Sequence, residues 1–414
     1  MAVEALRCKE CGERYPLDAR YVCERCFGPL EVEYDLSAID ASALRARIES
    51  GPASIWRYTD LLPFATPPAS PLPVGLTPLV RADRLAERLG LGEVWVKNDA
   101  ANPTHSFKDR VVAVAIAKAR ELGYSVVACA STGNLAQAVA AHAAAAGLDA
   151  YVFIPADLER EKVLATGVYG AKIVAVEGTY DDVNRLCTEL SAEREWAFVN
   201  VNVRPYYAEG SKTLGYEIAE QLGFELPDRV VCPIASGSMF TKIARAFDEL
   251  VELGLVARPE RGGPIFCGAQ AAGCAPVAEA FANGWDVCRP VKPNTIAKSL
   301  AIGNPADGPY ALELARRSGG TIEAVSDREI VEGIELLAET TGIFPETAGG
   351  VTVAVLRKLA EQGKIAPDER VVVLNTGEGL KTLDAIADAV EVIRIEPRLE
   401  AFDRAFGLAG AAAS

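Results

Sequence analysis

Lys108 stands where a lysine serves chemistry better than stability. It lies in the stretch Asn102-Pro103-Thr104-His105-Ser106-Phe107-Lys108-Asp109-Arg110, after the apolar run Val94-Trp95-Val96. A helical apolar pattern follows through Val111, Val112, Val114, Ile116 and Leu122. Ser106 is placed to cap that helix, with Asp109 three residues on, as in a capping box with Asp replacing Glu. The partial positive charge of a helix N-terminus disfavours an ammonium in the first turn. It favours a neutral amine, which can attack a carbonyl. The carbonyl that suits such a lysine is an aldehyde cofactor, pyridoxal phosphate (PLP). The plain alternative is an exposed lysine near a helix start.

Three loops have the composition of anion or cofactor sites. Ser131-Thr132-Gly133-Asn134 follows the strand-like Val126–Ala130 and opens a helix. Its small residues let backbone N–H groups approach an anion, and its hydroxyls and the Asn134 amide add directional hydrogen bonds. A substrate carboxylate or a cofactor phenolic oxygen fits there; so does an ordinary helix cap. Ala235-Ser236-Gly237-Ser238, followed by Met239, sits at another strand-to-helix turn, as expected of a phosphate cradle. It matches neither the GxGxxG fingerprint nor the P-loop. Asn375-Thr376-Gly377-Glu378-Gly379 follows Val371–Leu374 in the same way. The Thr376 hydroxyl can bond a ring nitrogen kept unprotonated, where an Asp or Glu would stabilise a pyridinium. Glu346 reads as an acid at a helix start. His142 reads as structural within an Ala-rich helix, and no His-centred triad is expected.

Cys8-x2-Cys11 and Cys23-x2-Cys26 bracket eleven residues. Four thiolates in two such pairs suit tetrahedral structural zinc, with Gly12 and Gly28 permitting the tight turns. The other six cysteines are scattered in apolar surroundings and read as small core residues.

These residues must be held by a scaffold, and the chain supplies one. Apolar runs of four or five alternate with helical periodicity. They run from Val94–Lys97 through Val126–Ala130, Ala150–Ile154 (with a helix from Leu158) and Lys172–Val176. A second series runs from Val230–Pro233 through Ile265–Gly268 and Thr321–Val325 to Val371–Leu374. Such alternation indicates parallel sheets covered on both faces. Two series imply an α/β protein with two sheets and a cleft between them. Ligands then sit at the carboxyl ends of the strands. The expected division is a zinc ribbon over 1–34, a larger domain from 35–95 and 221–390, a smaller one over 96–220 carrying Lys108, and a tail over 391–414.

The 414 residues carry a net charge of −15, which argues against nucleic-acid binding. No apolar run is long enough to span a membrane, and the first residues do not form a signal peptide. A cytoplasmic protein is expected.

Asn102–Arg110 resembles the N-P-T-x-S-F-K-D-R motif around the PLP-carrying lysine of enzymes of the tryptophan-synthase-β fold type. Thr376-Gly-Glu-Gly-Leu-Lys381 is similar to the T-G-x-G-L-K of threonine synthases. Ile302-Gly303-Asn304-Pro305 resembles their I-G-N-P, and Glu209-Gly210-Ser211-Lys212-Thr213 their E-G-x-K-T. The resemblance covers roughly residues 75–385, and some members carry an N-terminal cysteine ribbon. It implies fold type II, with PLP in a cleft between two α/β domains. By motif, Lys108 carries PLP, Asn134 contacts its 3′-oxygen, Ala235 to Met239 hold its phosphate, and Thr376 faces its ring nitrogen. Ser131, Thr132 and Gly133 are expected to bind substrate, and Cys8, Cys11, Cys23 and Cys26 to bind zinc. The implied reaction is that of a lyase in threonine biosynthesis: O-phospho-L-homoserine plus water gives L-threonine plus phosphate. The alternatives are a cysteate synthase or a serine/threonine dehydratase. A homodimer is expected. Tyr207 and Ala301 stand where the family usually has arginines, with Arg204 displaced nearby.

Overall fold

In the computed structural model, residues 2–69, 71–156, 160–178, 180–259, 262–387 and 389–407 are described. The start expected for a helix at Leu158 therefore lies outside the described residues, as do residues 408–414 of the tail.

The N-terminal strands β1 (Val3–Cys8), β2 (Arg14–Tyr15) and β3 (Leu30–Tyr34) form an antiparallel sheet in the order β2-β1-β3. Its apolar residues do not close a core of their own. Leu6, Leu30 and Val32 join one cluster with Trp56, Val112 and Val139, so the ribbon is packed onto the body.

Most of the body's apolar runs become strands buried on both faces, as parallel strands inside a sheet are; the edge run Lys172–Val176 is only partly buried. The large sheet contains β4 (Leu79–Arg81), β5 (Glu93–Asn98), β10 (Arg229–Pro233), β11 (Ile265–Ala271), β12 (Ile322–Val325) and β13 (Arg370–Asn375). Their order is β12-β11-β10-β13-β5-β4, parallel except where β4 pairs with β5. The small sheet contains β6 (Val126–Ala130), β7 (Asp149–Pro155), β8 (Lys172–Val176) and β9 (Ala197–Phe198), all parallel in the order β8-β7-β6-β9.

Strand order positions the site. β13 lies between β10 and β5, with Val231 opposite Val373 and Asn98 opposite Asn375. The loops that leave the carboxyl ends of these three neighbours hold Ser236, Thr376 and Lys108. The Asn134 loop leaves β6 of the other sheet. β5 pairs with β13 through Asn98, so the large-sheet segment runs past the expected limit at 95. The helix Lys212–Gln221 also goes with the large sheet: Leu214, Tyr216 and Ile218 share a core with Val230, Phe240 and Phe247.

A buried ion network joins these pieces. Arg110 donates to Asp99 (Nε–Oδ2 2.7 Å) and Glu217 (Nη1–Oε1 2.6 Å), and Lys97 donates to Glu217 at 2.7 Å. Arg110, Lys97 and Glu217 are fully buried. Burial alone would push Glu217 up, but Arg110 and Lys97 outweigh it and hold its carboxyl at about 2.

Candidate active site

Lys108 is the first residue of the helix Lys108–Glu121. Ser106 does not cap this helix. Phe107, in the position before Lys108, already has helical angles, and the Ser106 hydroxyl is buried without a hydrogen-bond partner. Asp109 bonds backwards instead, accepting from the Thr104 N–H at 2.8 Å and its hydroxyl at 2.9 Å. Its other oxygen lies 2.9 Å from His142 Nε2. His142 is thus a buried support beneath the lysine's own turn, in keeping with its structural reading.

The lysine loop is laced to the loop after β13 by backbone bonds. The Phe107 N–H donates to the Thr376 carbonyl at 2.9 Å, and the Glu378 N–H to the His105 carbonyl at 3.2 Å. Glu346 lies at the start of the helix Thr347–Glu361, and its N–H donates to the Gly377 carbonyl at 3.0 Å. A side chain at Gly377 would collide with the Glu346 carboxyl. The glycines here are required by close approach.

Asn134 reaches this cluster from the small sheet. It opens the helix Asn134–Ala146, after Gly133. Its Nδ2 donates to Glu346 Oε2 at 2.9 Å, while its Oδ1 accepts from Lys381 Nζ at 2.8 Å. Lys381 also donates to the Thr104 carbonyl at 2.6 Å. Thr376 Oγ1 is 3.5 Å from Glu346 Oε1. Burial pushes the Glu346 carboxyl up; Asn134, Lys381 and Lys108 oppose this without cancelling it. Burial likewise lowers Lys381.

Reading Glu346 merely as a helix-start acid misses its place in the cleft, and Lys381 stands in the T-G-x-G-L-K match without a role assigned to it. The only local signal was the glycine-rich neighbourhood, Gly349-Gly350 and Gly377. Gly349 would meet Asn375 Oδ1 at 2.5 Å if it carried a Cβ.

Ala235, Ser236, Gly237, Ser238 and Met239 form the turn from β10 into the helix Ser238–Glu252. Gly237 has φ +100°, and a Cβ there would lie 2.7 Å from the Asp307 carbonyl. The turn therefore needs glycine. The Ser238 N–H, first of a long helix, has only a long bond to Ser236 Oγ at 3.5 Å, and a helix N-terminus at such a turn is the arrangement that accepts a phosphate. The turn connects to Lys108 through the helix Arg204–Glu209. The Asp307 N–H donates to the Ser236 carbonyl at 2.8 Å, Arg204 pairs with Asp307 at 2.7 Å, and the Tyr207 ring centroid is 5.9 Å from Lys108 Nζ.

A cofactor with a phosphate and a polar ring suits this cleft. The amide cradle is present, and the hydroxyls of Ser106 and Thr347 are buried without protein partners. The cysteine set likewise suits zinc. The sulfurs of Cys8, Cys11, Cys23 and Cys26 all lie within 4.8 Å of one another. Cys8–Cys26 and Cys11–Cys23 are 3.4 and 3.6 Å apart, against about 3.8 Å for a tetrahedron with Zn–S of about 2.3 Å. At the first knuckle Gly12 takes the left-handed turn (φ 75°), but at the second Phe27 does (φ 60°). Gly28 serves space instead: a Cβ there would sit 3.0 Å from Cys8 Sγ.

Residues 71–377 match the family described as pyridoxal-phosphate dependent enzymes, and residues 7–31 match a family described as NinF protein. The chain is 40% identical over 389 residues to a threonine synthase of Methanosarcina acetivorans, covering 93% of this chain and 94% of the relative. A threonine synthase of Methanocaldococcus jannaschii is 40% identical over 395 residues, covering 94% and 96%. The chain belongs to the threonine synthase family of PLP-dependent enzymes. Solved structures share the fold at low identity. A threonine deaminase isoform from Solanum lycopersicum superposes with TM-score 0.65 at 19% identity, over 95% of this chain and 98% of that one. Maize serine racemase gives 0.64 at 19% identity, over 85% and 97%. These neighbours show fold type II.

Within a threonine synthase, the two sheets meet where this chemistry needs them. The large sheet presents Thr376 and Glu346; the small sheet presents Asn134 with Ser131, Thr132 and Gly133 beside it, and Lys108 opens a helix that shares the small sheet's core.

Proposed function

We propose that the protein converts O-phospho-L-homoserine and water to L-threonine and phosphate. The observation that carries the reading is the convergence of Lys108, Asn134 and Thr376 on one cleft in a chain of this family. Bound PLP supplies the electron sink at the substrate's Cα. Lys108 carries the cofactor and, once released by the substrate amine, takes the Cα proton as general base. It then removes a Cβ proton so that phosphate leaves Cγ; a proton is added at Cγ to form the methyl group, water adds at Cβ, and the Cα proton is restored. Asn134 holds the cofactor's 3′-oxygen. The turn Ala235–Met239 grips its phosphate through the amides at the helix start. The Thr376 hydroxyl faces its ring nitrogen. Ser131, Thr132 and Gly133 receive the substrate carboxylate. Cys8, Cys11, Cys23 and Cys26 hold one structural zinc.

The same reading divides the chain into a ribbon to residue 34, a large-sheet domain, an inserted small-sheet domain bearing Lys108, and a tail. A cytoplasmic homodimer without nucleic-acid partners is part of it. The charge of −15 supports the last point. No described helix is long and apolar enough to cross a membrane. The exposed apolar side chains of Val390, Val392, Ile393, Leu399 and Phe402 support self-association.

The test is incubation of the PLP-loaded protein with O-phosphohomoserine, scoring threonine and phosphate together. Equimolar release of both is expected. Formation of 2-oxobutanoate instead, or of cysteate from phosphoserine and sulfite, would assign the cleft to another reaction of this fold.

A further inference from the structure

Lys381 is not placed as a surface lysine is. It follows the loop after β13, in the short helix Gly379–Ile386, and is half-buried. Two of its three N–H donors are spent. One goes to the Thr104 carbonyl at 2.6 Å and one to Asn134 Oδ1 at 2.8 Å. Among the described residues no carboxylate forms a salt bridge with it; Glu346, Asp109 and Glu378 act on it from farther off. An ammonium drawn out of water and given two neutral oxygens in place of a counter-ion is placed for the direction of its bonds.

Its anchor is firm. Thr104 is fixed by Asp109, which accepts from both its N–H and its hydroxyl. Asp109 in turn lies 2.9 Å from His142. Lys381 thus ties three segments together: the lysine loop at Thr104, the loop after β13 that bears it, and the first residue of the helix Asn134–Ala146.

The consequence falls on Asn134. A side-chain amide has an oxygen at one end and an NH2 at the other. An ammonium donates and never accepts, so the oxygen must face Lys381. The NH2 is then turned the other way, where Nδ2 donates to Glu346 Oε2 at 2.9 Å. Glu346 alone does not settle the choice. As a carboxylate it selects the NH2, but burial favours its protonated form, and a carboxylic acid donates to an amide oxygen as readily as it accepts. Lys381 discriminates in both states of the glutamate.

We infer that Lys381 is a positioning residue, which locks the Asn134 amide with its NH2 toward the cleft and so presents a donor to the 3′-oxygen of bound PLP. A hydrogen bond given to that oxygen favours its anionic form, and such bonds tune the cofactor's electronics. With Lys381 removed, the amide is free to turn its own oxygen to the cofactor. The inference rests on the reading above in taking Asn134 as the partner of the 3′-oxygen, and the experiment separates the two.

Parent, Lys381→Met, Lys381→Gln, Lys381→Arg, Asn134→Ala and the Asn134→Ala/Lys381→Met double variant are loaded with PLP. Equilibrium dialysis gives the PLP dissociation constant. Absorbance gives the ratio of the visible band of bound cofactor, which reports an anionic 3′-oxygen, to the near-ultraviolet band, which reports a neutral one. Lys381→Met should weaken PLP binding about tenfold and lower the ratio. Lys381→Gln, whose amide can offer either end to Asn134, should do the same in smaller measure. Lys381→Arg should recover most of the parent's ratio. In the Asn134→Ala background Lys381→Met should change the ratio no further, since the group it acts through is gone. A parental ratio in both Lys381→Met and Lys381→Gln overturns the inference. So does an undiminished Lys381→Met effect in the Asn134→Ala background, which would make the lysine act on the cofactor directly. A parental ratio in Asn134→Ala removes the reading of Asn134, and the inference with it. If the ratios shift as expected but no threonine forms, the positioning role stands and the assigned reaction falls.

Discussion

Glu346 is the residue whose surroundings say most about how this cleft is tuned. It is buried, shares Asn134 with Lys381, and faces Thr376. Its raised pKa keeps a proton on the carboxyl to higher pH than an exposed glutamate would. A function that needs the neutral acid is therefore full at low pH and declines as pH rises through that raised value. Glu346→Gln should remove this alkaline decline from the pH–rate profile while retaining PLP; a decline unchanged in the variant assigns it to another group. Thr376 permits a second comparison. A hydroxyl cannot keep a pyridine nitrogen charged as a carboxylate can. Thr376→Asp should increase transamination side products and cost stability by burying a carboxylate. Thr376→Val should weaken PLP binding, as equilibrium dialysis would reveal. Lys108 itself is tested by borohydride reduction of the holoenzyme followed by peptide mapping. The label is expected on Lys108, and a label on Lys381 would move the centre of the site. Lys108 stands out in the sequence by its place at a helix start, and Asn134 and Thr376 by their loops of small residues after apolar runs; the fold brings the three to one cleft. The pairing of Glu346 and Lys381 through Asn134 does not stand out, because it joins partners more than two hundred residues apart.

At the scale of elements, local pattern located the strands well and their ends less well. Apolar runs and turn residues found β5, β6, β10 and β13. They could not show that β5 continues to Asn98, since its last residues are polar and are held by pairing with β13. Nor could they show that Ser106 fails as a cap, because that depends on Phe107 being already helical. Two elements carry predictions. Gly237→Ala places a side chain at φ +100° against the Asp307 carbonyl. It should cost about 1–2 kcal/mol of local strain and lower PLP affinity, read as a right-shifted cofactor titration. For the ribbon, elemental analysis should find about one zinc per chain, and Cys8→Ser with Cys11→Ser should release it. Because ribbon residues share a core with Trp56 and Val112, the melting temperature should fall as well. A metal-free variant as stable as the parent would argue that the sheet alone holds the ribbon's place.

The whole molecule depends on charges placed where water cannot reach them. Arg110 touches Asp99 and Glu217, and Lys97 completes the set. Arg110→Met leaves two buried carboxylates short of a cation, which should cost about 3–5 kcal/mol, measurable by chemical denaturation. Glu217 and Glu209 are both held at about 2 against an ordinary 4.5, with burial opposing and the buried lysines and Arg110 prevailing. The sign follows from linkage. Their contribution is fully present above about pH 4.5 and is lost as pH falls from there toward 2. Acid unfolding should therefore begin in that window, and Glu217→Gln should flatten it. None of this network is legible in the sequence: Arg110 enters it only as the last residue of the lysine motif, and Glu217 carries no local signal. Two distant halves of the chain meet in it, and no spacing rule reports such a meeting.

The position of β13 also sets the order in which the chain can be finished. It pairs with β5 on one side and β10 on the other, yet among the described residues it is the last strand to leave the ribosome. The Asn375–Asn98 hydrogen bond spans 277 residues. Until Arg370–Asn375 emerges, the growing chain carries two half-sheets, each with an open edge that β13 will later fill. Contacts of such long range close slowly, and unpaired edges invite the wrong neighbour. The small sheet has no such debt, since β6 to β9 all emerge earlier. The newborn protein therefore acquires its Asn134 loop well before it has a cleft to put it in, and the last strand to arrive joins the two halves of the large sheet.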